Sequence, residues 1–131
     1  MAEEALVESL VADSVKLVEA LDRRGETPTN VLWHYSSEAE EWRLLVAGRA
    51  FDALLPEAED RAYERVAKAI AEADLDSLTI ADVKLARTDD PLLVATKSAV
   101  HTAPDRVVRA HFRNNLFNGI FVKEMLVLRA A

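Results

Sequence analysis

Hydrophobic positions along the chain follow two periods, and switches between them divide it into helices and strands. From Ala2 to Arg24 the spacing is helical. At about 100° per residue, Leu6, Val7, Leu10, Val11, Val15, Leu17, Val18 and Leu21 fill about half of the cylinder, and Glu8, Asp13, Lys16 and Glu19 lie on the other half. Gly25 follows as a natural residue to end the helix. So wide a stripe can serve two neighbours, the domain's own sheet and either another layer of the domain or a partner chain. Ser14 sits within it, where a small side chain permits close packing and the hydroxyl can bond back to the Leu10 carbonyl.

Thr29 to Tyr35 and Glu41 to Ala47 alternate with period two and read as a hairpin joined by residues 36–40. Val31, Trp33 and Tyr35 alternate with Leu32 and His34, while Trp42, Leu44 and Val46 alternate with Arg43, Leu45 and Ala47. Large apolar groups therefore line both faces, so this sheet is covered on both sides or one face meets another molecule. Trp33, Tyr35 and Trp42 are the candidate interface residues. After a loop at Gly48–Pro56, Glu57 to Asp74 forms a second helix with Ala62, Val66, Ala69 and Ile70 on one face. Ile80 to Ala86 reads as a short strand. A third helix starts with Asp90 as N-cap and Pro91 in the first turn, and should stop near Thr102, because Ala103 precedes Pro104.

The last alternating runs, Arg106–Phe117 and Ile120–Arg129, flank Asn118-Gly119, the dipeptide best suited to the positive φ angles of a type I′ hairpin turn. That turn sets Phe117 opposite Ile120, Arg113 opposite Glu124 and His111 opposite Leu126. Strict alternation then places Arg109, His111, Arg113 and Asn115 on one face. The element order is α-β-β-α-β-α-β-β. Residues 1–131 thus read as a single α+β domain: a mostly antiparallel sheet packed by three helices, ending in a C-terminal β-hairpin.

With 131 residues and half of them hydrophobic, the chain can bury one core and is too apolar to be disordered. It has no cysteine, which excludes disulfides, thiolate metal sites and cysteine nucleophiles. The acidic start Met1-Ala2-Glu3-Glu4 is unlike a signal peptide, and no apolar run is long enough for a membrane helix, so a cytoplasmic protein without membrane contact is expected. The net charge of −7 is unevenly spread. Residues 1–76 hold 18 acidic against 8 basic side chains, whereas residues 77–131 hold 5 against 8. The acidic balance disfavours generic nucleic-acid binding, and internal pairing between the halves is the plain structural expectation.

With glycine only at 25, 48 and 119, no dinucleotide-binding turn or P-loop can be written, and no cofactor or metal motif is present. Asp82-Val83-Lys84 has the spacing of part of a metal-dependent nuclease site, although an edge strand yields the same tripeptide. His34, His101 and His111 lie on separate elements. Ser98, His101 and Asp105 are too close along one helical turn to form a triad. The row Arg109, His111, Arg113 and Asn115 is the candidate binding site, because guanidinium forks and amides suit carboxylate or phosphate.

Leu32-Trp33-His34-Tyr35-Ser36-Ser37-Glu38-Ala39 with Glu41-Trp42-Arg43-Leu44, then Asp90-Pro91-Leu92, and Asn115-Leu116-Phe117-Asn118-Gly119 with Phe121 resemble landmarks of a family of small bacterial proteins of unknown function. The resemblance implies a bacterial origin and no particular activity. The residues themselves point first to a non-enzymatic protein-interaction module, of the adaptor, chaperone or immunity-protein kind, whose partner is another protein or a second copy forming a homodimer. The rival is an anion, ligand or nucleic-acid binder using the basic hairpin face. A small metal-dependent hydrolase built on Asp82 and Lys84 is the third alternative.

Overall fold

The computed structural model describes residues 6–131. Helix α1 (Glu8–Arg23) begins where Val7 leaves the extended region, so Leu6 and Val7 precede it; the expected start at Ala2 lies outside the described residues. Its end follows from glycine chemistry. Gly25 adopts φ 75°, and the Gly25 and Glu26 N–H groups donate to the Asp22 and Leu21 carbonyls, a Schellman closure that a side chain at position 25 would strain.

Strands β1 (Asn30–Ser36) and β2 (Glu41–Ala47) pair antiparallel, with Tyr35 opposite Trp42. The segment expected to be a loop contains one helical turn, α2 (Arg49–Asp52), which drives Phe51 fully into the core. Helix α3 (Glu59–Ala73) follows. The strand expected over Ile80–Ala86 is shorter, because Thr79 and Asp82 form a capping box that winds Ile80–Asp82 into a 3-10 turn before β3 (Val83–Leu85). Helix α4 (Pro91–Thr96) starts as expected, with the Asp90 carboxylate accepting from the Leu92 N–H at 2.9 Å. It ends well before Thr102. The bonds at Ser98 and Ala99 relax to i→i−3, and the Thr102 N–H then donates to the Ala130 carbonyl at 2.7 Å, which draws this segment to the end of the sheet. Strands β4 (Ala110–Phe117) and β5 (Ile120–Ala130) close the chain.

The sheet order is β3-β2-β1-β5-β4, antiparallel throughout except for the parallel β2–β3 pair. The fold is the expected α+β domain. Val31, Trp33, Leu44 and Val46 pack beneath α1 and α3, while Leu32, Leu45, Met125 and Val127 pack with Leu93 of α4 on the other face. Apolar residues on both sides of the central strands are thus explained by helices on both sides. The second neighbour of α1 is α3, whose Ala62, Val66 and Ala69 join α1 in the same core.

Candidate functional site

The hairpin face is built by its turn. Asn118 and Gly119 adopt φ 47° and 83°, and the register sets Phe117 opposite Ile120, Arg113 opposite Glu124 and His111 opposite Leu126, as expected. His111 Nε2 lies 2.7 Å from Glu124 Oε2, and Arg113 Nη2 donates to the same oxygen at 3.2 Å. Arg109 Nη1 donates to Glu8 Oε1 at 2.8 Å. Arg109, His111 and Arg113 each therefore meet a carboxylate, and an incoming anion would have to displace Glu124 or Glu8. These pairs are solvent-exposed on the basic side, so each contributes little to stability.

Asn115 does not share this face. Ala110 and Phe112 of β4 belong to the core beneath α4, yet so does Phe117, an odd number of residues further on. On β5 the same core takes Val122 and then Met125. Alternation slips by one residue on each strand where Asn114, at φ 52°, would face Lys123, so Asn115 lies beside its partner Val122 on the opposite side. Its Oδ1 accepts the Arg113 N–H at 3.2 Å.

The slip exposes an apolar pair. Leu116 and Phe121 are cross-strand partners, turned to the same side as His111 and Arg113, and remain 68% and 61% exposed at the hairpin tip. Strict alternation from Phe112 would have sent Leu116 into the core. Consecutive asparagines in the middle of an apparent strand were the signal that could have revealed it, since asparagine tolerates the left-handed region. β4 is also an edge strand, and Arg113-Asn114-Asn115 protect it with charge and a backbone kink. That protection disfavours the addition of a further strand to this edge.

The aromatic interface expected from Trp33, Tyr35 and Trp42 is a packing cluster instead. Trp33 is fully buried beneath α1, and its indole N–H donates to Ser14 Oγ at 3.1 Å. Tyr35 is buried, with its ring edge-on to Trp42 at 5.5 Å, and Trp42 packs half-buried against the same core. These side chains face inward because α1 and α3 cover that side of the sheet.

The other constellations do not assemble. The Asp82 carboxylate accepts the Thr79 N–H and so caps a turn, and Ser98 Oγ donates to the Ala95 carbonyl at 2.6 Å. His34 and His111 lie on opposite sides of the sheet, and among the described residues no three His, Asp or Glu side chains converge as a metal site. No helix among the described residues is long and apolar enough to cross a membrane. Compared with models of protein families, with curated proteins and with solved structures, the chain finds no match.

Proposed function

We propose that the chain is a non-enzymatic protein-interaction module that docks another protein through the tip of its C-terminal hairpin. The observation that carries this reading is the Leu116–Phe121 pair, two large apolar side chains left in water on a strand pair whose other apolar residues are mostly packed. Fully burying both against a partner would contribute roughly 4 kcal/mol before the cost of association. The partner that fits is a shallow apolar groove with an acidic rim. Arg113 beside the pair would orient such a rim and speed encounter. A cytoplasmic setting is part of this proposal, and the sequence landmarks support a bacterial one.

Site-specific photocrosslinking in the native cell tests this. A photoreactive phenylalanine at position 121 should form a covalent adduct with one protein. The adduct should disappear in a Leu116→Asp background and be absent when the probe replaces Glu64 on the exposed face of α3. No adduct from position 121, or the same adducts from position 64, would overturn the reading.

A further inference from the structure

The side of the sheet turned toward α4 carries a second concentration of polar chemistry. β1, β2 and β3 are neighbours, and on that side they present His34, Arg43 and Lys84. His34 lies directly opposite Arg43, and Lys84 is beside Leu45, two residues along β2 from Arg43. Helix α4 has only six residues, and it leaves these side chains lining an open concavity of about 530 Å³ whose wall also includes Tyr63, Glu41 and Asp90. That size suits a small metabolite.

The donors and acceptors around it are unevenly satisfied. Arg43 is held by Glu41, with Nε and Nη2 at 3.0 and 2.9 Å from the same oxygen, and Asp90 is engaged by the Leu92 N–H. Lys84 makes no ion pair among the described residues. Tyr63 Oη accepts the Leu85 N–H at 3.0 Å, which leaves its own hydrogen to donate. Burial holds the His34 imidazole below its ordinary pKa, the Lys84 charge pushes the same way, and Asp90 opposes them. At neutral pH His34 is therefore an uncharged ring with one N–H to offer.

We propose that this concavity binds a small organic anion, its phosphate or carboxylate seated on Lys84 and Arg43 with His34 as a further donor. The free cation supplies attraction, and the Arg43 fork supplies geometry once Glu41 yields or shares it. Tyr63 and the Asp90 carboxylate are placed to meet hydroxyl groups on the remainder of the ligand. An anion beside His34 counteracts both burial and Lys84, so it draws a proton onto the ring. Binding accordingly strengthens as pH falls through the imidazole range, with Lys84, Arg43, Glu41 and Asp90 as the charged groups that set the balance.

NMR of the histidine rings in the full chain tests the site. The probes are inorganic phosphate, acetate and glycerol 3-phosphate, with sodium chloride at matched ionic strength as the reference. The expected result is a shift of the His34 ring signals and a raised His34 titration midpoint, with His111 unmoved. Lys84→Ala should abolish both changes, and Lys84→Arg should retain them. A response to phosphate without acetate assigns a phosphate ligand, and the converse a carboxylate. The proposal is overturned if no probe moves His34 beyond the chloride reference, or if a folded Lys84→Ala variant responds as the parent does.

Discussion

The Trp33 indole N–H donates to Ser14 Oγ at 3.1 Å, and that hydroxyl in turn donates to the Val11 carbonyl at 2.6 Å, one residue along from the Leu10 carbonyl that helix geometry suggested. This relay joins the middle of α1 to the centre of the sheet, and both residues are fully buried. In Ser14→Ala the indole N–H stays buried with no partner, at a cost of about 2 kcal/mol. The better helix propensity of alanine returns only about 0.5 kcal/mol. The urea midpoint should fall with an unchanged slope. A midpoint at or above that of the parent would show that the bond contributes nothing net.

Arg129 is a fully buried charged side chain. Its guanidinium reaches both carboxylate oxygens of Asp22 at 3.0 and 3.1 Å, and its Nε donates to the Arg106 carbonyl at 2.8 Å. A further bond runs to the Pro28 carbonyl. One side chain thus ties β5 to the end of α1 and to two loops. Asp22→Ala leaves a desolvated cation and should cost about 3 kcal/mol, whereas the Arg129→Met, Asp22→Ala double variant should be less damaged than the sum of its singles. Additive losses in a double-mutant cycle would show that the two residues act independently.

Local chemistry explains how far the sequence could be read. The hairpin register was legible because Asn118-Gly119 dictates the turn, and the turn dictates every pair out to His111 and Leu126. The start of α4 was legible for the same reason, since Asp90 and Pro91 act within a single turn. What escaped were choices made by distant partners. Parallel pairing of β3 with β2 depends on residues far apart along the chain, and α4 stops early because Thr102 is claimed by Ala130. Trp33 was expected at an interface because nothing local tells a tryptophan covered by its own helix from one covered by another protein. At the candidate site, Arg109, His111 and Arg113 did fall on one side. Asn115 did not, because a single left-handed residue at Asn114 resets the alternation. The His34, Arg43 and Lys84 concavity needs three strands to be set in register before it exists.

Acid sensitivity should centre on Asp13, which holds the segment before β3 against α1. Burial alone would raise its carboxyl pKa, but the N–H groups of Leu78, Ser77 and Asp76, aided by the Lys16 charge, outweigh that and lower it. The Ser77 and Leu78 donors lie 2.6 and 2.9 Å from Oδ2. The folded state therefore binds this proton less readily than the unfolded chain. Its stabilisation is complete above the ordinary aspartate value of about 3.9 and is lost as pH falls through the lower, folded value. Asp13→Asn should be less stable than the parent near about pH 7, and the gap should narrow toward about pH 3. Urea midpoints across that range measure it, and a constant gap would remove Asp13 from the acid limb.

Two neighbouring residues on β5 separate scaffold from docking surface. Val122 is fully buried and packs with Phe117, while Phe121, next in the chain, points into water opposite Leu116. Threonine keeps strand propensity at each position and removes most of the apolar area. In Val122→Thr the hydroxyl enters an apolar core and should cost about 2 kcal/mol. Phe121→Thr and Leu116→Thr should stay within about 0.5 kcal/mol of the parent, as exposed substitutions do. If the tip variants instead lost as much stability as Val122→Thr, the pair would be packing in solution and its exposure would say nothing of a partner. Unchanged stability of both tip variants, together with loss of the position-121 crosslink in a Leu116→Thr background, would leave binding as what Leu116 and Phe121 are for, because side chains that contribute nothing to the fold cost solubility unless something covers them.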